Sequence, residues 1–198
     1  MVQLDKCYLV EGYTDVLSFH QSGLENVIAS SGTSLTLDQV RLIKRFTHNI
    51  TVIYDGDEAG IKASLRGIDI ILEEGLNVKV VPLPEGEDPD SFAKQKSEEE
   101  LRQYIKENET DFIRFKTNLL MQETKNDPVG RAQLVQDIVR TISVIPDSIT
   151  RTEYVKECSS LMKVEEQLLF MEISKNRKKK IEKDRNKNRQ QPANDAAP

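Results

Sequence analysis

A chain of 198 residues that is 37% hydrophobic and 31% charged has enough apolar content to fold as one ordinary domain or two small ones. No run of about 18 apolar residues occurs, and MVQLDKCYLVEGY lacks the basic and apolar blocks of a secretory signal, so no membrane segment and no export are expected. Two cysteines (Cys7, Cys158) and two histidines (His20, His48) exclude a disulfide scaffold and offer no zinc-finger spacing; a reducing, cytoplasmic setting is expected.

The net charge of −5 is unevenly spread. Residues 175–198 hold nine Lys/Arg against three Asp/Glu, net +6, which leaves 19 against 30, net −11, on residues 1–174. An acidic body is not the composition of a self-sufficient nucleic-acid binder. Phosphate handling here would need metal ions, or basic charge from other segments.

In chain order, Cys7–Val10 reads as a buried strand, 14–21 as a helix and Val27–Ala29 as a second strand. Ser34 or Thr36 is placed to cap a helix running to about Phe46, with Leu37, Val40, Leu42 and Ile43 as its apolar stripe. Ile50–Tyr54 is a β-branched run suited to a strand buried on both faces. A helix is predicted over 59–74, closed by Gly75, and a fourth strand over 78–83, ended by Pro84. Strand–helix alternation of this kind implies a parallel sheet with right-handed crossovers. From residue 97 only helical periodicity remains, with breaks at Asn126-Asp127-Pro128 and Pro146-Asp147. Helices are predicted at about 98–107, 110–124, 128–144, 147–161 and 164–175. The organisation expected is an α/β domain over 1–96, an all-α part over 97–174 and a basic tail over 175–198. That tail is predicted to extend the last helix by a few turns at most and then to be a disordered, solvated linker.

Acidic residues recur just past predicted strand ends: Glu11 after the first, Asp55 and Asp57 after the third, Asp88 and Asp90 after the fourth. Beyond the strand C-termini of an open α/β sheet lies the usual ligand crevice, and Asp15 in a first helical turn could join it. Each has a local alternative. Asp55, Asp57 and Asp88 suit caps and turns, and Asp15 suits the helix dipole. Glu11, between an apolar strand and a glycine, has no such local role. Carboxylates gathered in one crevice repel unless a cation is present, and oxygen-only donors favour Mg²⁺ or Mn²⁺.

VEGYTDV, SSGTSLT, VIYDGDEAG and LPEGEDPDSF, in this order and spacing, resemble the Toprim domain of bacterial replicative DNA primases of the DnaG type. The resemblance covers about residues 7–95. The helical part is consistent with the subdomain that ends the primase catalytic core, and the tail resembles the linker toward a helicase-binding domain. It implies an α/β Toprim-type parallel sheet flanked by helices, then an all-α subdomain. It further implies metal-dependent, template-directed synthesis of RNA primers from NTPs on single-stranded DNA, a nucleotidyl transfer, at the replication fork. Carried over, Glu11 becomes the catalytic glutamate, Asp55 and Asp57 the metal-binding pair, and Asp88 and Asp90 the rest of the acidic cluster. Asp15, Gly12, Gly56 and Gly60 support it. Thr33 and Ser34 fit capping better than phosphate contact, and Lys62 and Arg66 fit solvent better. Tyr13 and Tyr54 flank the site as core or pocket-wall aromatics, and Cys7 is a core residue.

Three family features are not found in the sequence: a Cys/His zinc module, the basic template-binding subdomain that precedes the Toprim strand, and a helicase-binding domain. The chain therefore reads as a fragment, inactive or weak alone, that would meet a replicative helicase only through a C-terminal domain not present here. The alternatives are another Toprim nucleic-acid enzyme (a nuclease or a topoisomerase part), a non-catalytic metal-binding replication module, and a receiver-like domain phosphorylated at Asp55.

Overall fold

A computed structural model describes residues 1–31, 35–55, 67–124 and 127–190. Five strands form one sheet: β1 Cys7–Val10, β2 Val27–Ala29, β3 Asn49–Tyr54, β4 Asn77–Pro82 and β5 Thr110–Asp111. Their order is β2-β1-β3-β4-β5; β2, β1, β3 and β4 run parallel, and β5 alone is antiparallel, on the edge of β4. The helices described are α1 Tyr13–Gln21, α2 Leu37–Lys44, α3 Ile68–Glu73, α4 Pro89–Lys94, α5 Glu98–Asn108, α6 Phe112–Glu123, α7 Pro128–Val144, α8 Ser148–Met162 and α9 Glu166–Gln190. Among the described residues, no helix is long and apolar enough to cross a membrane.

The sheet is covered on both faces, and the period-2 alternation of the strands divides it. Cys7, Leu9, Ile50, Val52, Tyr54, Val78 and Val80 face one core with α2, α3 and α6–α9. Tyr8, Val10, Ile53, Val81 and Leu83 face a second core, closed by Phe19 of α1, Phe92 of α4 and Leu101 and Ile105 of α5. Burial on both sides explains the unbroken β-branched run of β3. The first core runs from the strands into the helical segment, so no gap in packing follows residue 96.

Local chemistry sets the helix starts. Thr36 accepts the Gln39 N–H, Ser97 that of Glu100, Asp127 those of Val129 and Gly130, and Asp147 that of Thr150. α3 ends in a Schellman turn: Gly75, at φ +78°, donates to Leu72 and Leu76 donates to Ile71. The described helix there begins at Ile68; the rest of the predicted span lies outside the described residues. Two features depart from the sequence expectations. Thr110 and Asp111 extend the sheet before α6 begins, because Asp111 ends the strand and caps the helix through the Ile113 and Arg114 N–H groups. The last helix also runs to Gln190, about four turns into the tail expected to extend it by a few turns at most before becoming disordered. Arg177 holds it there by donating to the carbonyls of Ser143 (2.8 Å) and Ile145 (3.1 Å) at the end of α7, and Lys180 pairs with Glu73 at 2.5 Å.

At the end of α5 the Glu109 carboxylate meets three strand segments. It accepts from Lys6 before β1 (2.8 Å), from Thr51 on β3 (2.6 Å) and from Lys79 on β4 (2.9 Å). Burial raises its pKa, but the three hydrogen bonds outweigh burial and hold the carboxyl below the ordinary glutamate value. Its stabilising contribution is thus full above that ordinary value and lost as pH falls through the lower folded value. Glu109→Gln should cost about 2 kcal/mol in urea unfolding at neutral pH, the range for hydrogen bonds to charged groups. The gap to wild type should close as the pH is lowered through the acid range. Burial also pushes the thiols of Cys7 and Cys158 up, to about 12 and about 11. Neither should react with an aromatic disulfide reagent at neutral pH until denaturant is added.

Candidate active site

Parallel pairing of β1, β3 and β4 brings their C-terminal ends to one edge, with Tyr54 beside Pro82 in register. Glu11 leaves β1 at this edge with an exposed side chain, and Asp55 follows β3 directly, half-buried. The backbone of Glu11 is fastened to the loop after β2: its carbonyl accepts the Ser31 N–H at 2.9 Å, and Ser31 takes a left-handed conformation (φ 58°). For a serine that conformation is uncommon, and such strain collects at working sites.

Asp15, one turn further on, is 8% exposed. Its Oδ2 accepts the Gly12 N–H at 2.8 Å, and a Cβ on Gly12 would lie only 3.3 Å from that oxygen. A side chain at Gly12 would make the Asp15 carboxylate give way by a few tenths of an ångström, so glycine favours the close approach without any unusual φ. The Asp15 pKa is raised, first by burial; the Gly12 N–H opposes this, and the charges of Asp90, Asp88 and Glu11 add to it. Four carboxylates from three elements therefore share one electrostatic neighbourhood.

Two of the four are also held locally. Asp88 caps α4, accepting from the Ser91 N–H (2.9 Å) and the Ser91 hydroxyl (2.6 Å), which lowers its pKa. Asp90 accepts from Lys94 Nζ at 2.6 Å and from the Ser18 hydroxyl of α1, and both bonds lower its pKa, Lys94 more. The Asp90–Lys94 pair at i,i+4 is visible in the sequence; the Ser18 contact, between helices 72 positions apart, is not. Asp57, Gly56, Gly60, Thr33, Ser34, Lys62 and Arg66 lie outside the described residues. Among the described residues, no three His, Cys, Asp or Glu side chains are arranged to hold a metal ion. The donor set nonetheless suits a hard divalent cation. It is all oxygen, Glu11 makes no side-chain hydrogen bond or ion pair among the described residues, and Asp15 sits under like-charge stress that a cation would relieve.

The two tyrosines behave differently. Tyr54 is buried as expected, and its hydroxyl has no hydrogen-bond partner among the described residues. Tyr13 is 72% exposed at the start of α1 and is neither core nor pocket wall, because α1 buries Phe19 and turns Tyr13 outward.

A family model described as Toprim-like matches residues 8–93, and one described as the DnaB-helicase binding domain of primase matches residues 113–167. The two matches cover the four parallel strands and the α6–α8 layer that packs on them. Residues 8–93 are thus similar to a Toprim domain and residues 113–167 to the DnaB-helicase binding domain of primase. The DNA primase of Clostridium acetobutylicum is 36% identical over 171 residues, which is 86% of this chain and 28% of that protein. The chain thus spans little more than a quarter of the primases it matches. The zinc-binding and RNA polymerase domains of the Aquifex aeolicus primase superpose with a TM-score of 0.71 at 32% identity, over 86% of this chain and 40% of that one. A DnaG primase catalytic domain bound to ssDNA gives 0.72 at 29% identity, over 83% and 53%. Toprim domains work with divalent cations. The expectation that a helicase-binding domain is not present here needs correction, since residues 113–167 match one. Composition did not reveal it because stripes such as Phe112, Ile138 and Ile142 serve the core, which is all that helical periodicity reports.

Asp15 yields a directional test. With its folded pKa raised, its neutral form is favoured in the fold; that stability is present below the ordinary aspartate value and lost as pH rises through the folded value. Asp15→Asn keeps an oxygen for the Gly12 N–H and removes the charge. Its melting temperature at neutral pH should exceed that of wild type, with the excess disappearing at acid pH.

Proposed function

We propose that this chain is the metal-dependent part of a bacterial primase catalytic core, joining ribonucleotides on a single-stranded DNA template. The observation that carries the reading is the convergence of Glu11, Asp15, Asp88 and Asp90 at the strand edge where Asp55 ends β3. It is supported by the match to a Toprim family and to a primase catalytic domain solved with ssDNA. Mg²⁺ or Mn²⁺ bound there would polarise the α-phosphate of an NTP and neutralise the departing pyrophosphate. Asp55 and Asp57 are the principal ligands, with Asp88 and Asp90 completing the acidic cluster. Glu11 is either a further ligand or the base that takes the proton from the attacking 3′-hydroxyl. Asp15 and Gly12 fix the start of α1 so that the Glu11 carboxylate projects over the edge. Ser18 and Lys94 hold Asp90 in place. The strand edge itself is acidic and most of the basic charge that would hold a template there comes from parts of the longer protein, so this chain alone is weak or inactive in primer synthesis. A replicative helicase of the DnaB type is the partner for residues 113–167, and the site of action is the cytoplasmic replication fork.

Calorimetric titration with Mn²⁺ tests the site directly. Wild type should bind, and Asp55→Asn/Asp57→Asn should not, while circular dichroism stays unchanged. Binding of equal strength in the double variant would reduce these acids to turn and capping residues. In a full-length primase carrying this region, Glu11→Gln or Asp55→Asn should lower primer synthesis by roughly 10²-fold or more, the scale for losing one preorganised electrostatic group. Metal-dependent nicking of DNA without NTPs would instead favour a Toprim nuclease.

A further inference from the structure

The basic stretch predicted to be a solvated linker is a docked helix with two different sides. Leu169 and Ile173 are buried in the core shared with the sheet. Arg177 and Lys180, one and two turns on, continue that side through the α7 carbonyls and Glu73. At 100° per residue, the opposite side carries Leu168, Met171, Lys175, Lys178 and Lys179, with Lys183 and Arg185 beside them, all exposed. Met171, Ser174, Lys175, Lys178, Lys179 and Glu182 line a shallow open hollow along it. Lys175 makes only a long contact of 3.4 Å with Glu172. Lys178, Lys179 and Lys183 make no ion pair among the described residues. An acidic body of net −11 thus presents a basic ridge about 15 Å long, at 1.5 Å rise per residue from Lys175 to Arg185, most of whose cations have no acid partner among the described residues.

We propose that the outer face of α9 is a nucleic-acid contact, taking the phosphate backbone of a single strand without reading its bases. Three observations favour this occupant over an acidic protein surface. The charge on the face is mostly of one sign, with five cations from Lys175 to Arg185 against Glu172 and Glu182. Its docked side fixes the helix in advance, so little ordering entropy is lost on binding. Exposed Met171 and Leu168 at its base offer apolar contact to sugars or bases, the usual complement to a cationic track. The ridge lies on a different element from the acidic strand edge and needs no metal.

Fluorescence anisotropy with a labelled thymidine homopolymer, in EDTA and without nucleotides, isolates this surface from the metal chemistry. Wild type should bind with strong salt dependence. Lys175→Glu/Lys178→Glu/Lys179→Glu should weaken binding by roughly tenfold at low salt and reduce the log–log salt slope by about 2, at roughly 0.7 per phosphate contact on a single strand. A charge-matched control, Lys106→Glu/Lys156→Glu/Lys163→Glu, should bind like wild type. No binding by wild type, an unchanged slope in the α9 variant, or an equal loss in the control would each overturn the proposal. So would competition by poly-glutamate as effective as unlabelled oligonucleotide at equal charge, which would assign the face to an acidic protein.

Discussion

The carboxylate of Glu109 is the point on which the sheet's alignment rests. It takes one bond each from Lys6, Thr51 and Lys79, segments of three adjacent strands that local sequence does nothing to bring together. Thr51 and Lys79 are themselves register partners across β3 and β4. A slip of one residue would turn every side chain to the other face and break this node together with both cores. Because the strands are parallel, fixing their register at the entry side also fixes where they end. The acids at the far edge meet because the near edge is tied.

Charge is partitioned as deliberately as hydrophobicity. At the acidic edge, Asp88 and Asp90 are steadied by Ser91, Ser18 and Lys94, whereas Asp15 is buried and stressed and Glu11 is left open. An arrangement optimised only for stability would not place three carboxylates, Glu11, Asp88 and Asp90, where each raises the burden on Asp15. Such a cost is typical of a site shaped for an absent positive charge. Elsewhere the molecule satisfies its ions conventionally: Arg151 and Arg177 both serve the carbonyl of Ile145 at the C-terminal end of α7, where cations complement the helix dipole.

Much of this was legible in the sequence because the signals are local. β-branched runs marked the strands, Thr36 was one of two candidate caps and accepts the Gln39 N–H, and the breaks at Asp127 and Asp147 fall where helices start. The motif residues Glu11, Asp88 and Asp90 could be placed past strand ends, and Asp15 in a first helical turn, by counting. What was not legible depends on distant partners. β5 is two residues long and exists because β4 offers an edge. α9 continues past residue 175 because α7 and Glu73 receive Arg177 and Lys180, although its own composition argues for disorder. The exposure of Tyr13 follows from which side of α1 meets α4, and Ser18–Asp90 sets that.

The two cores give the sheet a further role. The residues matched to a helicase-binding region pack only on the face with Leu9, Val52 and Val80, while α1 and α4, which carry Asp15, Asp88 and Asp90, pack on the other. Among the described residues, α6–α8 thus pack on the opposite face of the sheet from the helices that carry these acids. Influence from a partner on that layer would cross the strands themselves, above all β3, whose Tyr54 points into the first core one residue before Asp55. Lys116 of α6 is half-buried between helices, donating to Thr141 of α7 at 2.7 Å and feeling the charge of Asp69 on α3. Close-packed interiors move between discrete arrangements instead of deforming gradually. Any coupling between the helical layer and the acidic edge is then a repacking of β3 and α3 against α6 and α7, a change that side chains in the first core would register before those in the second.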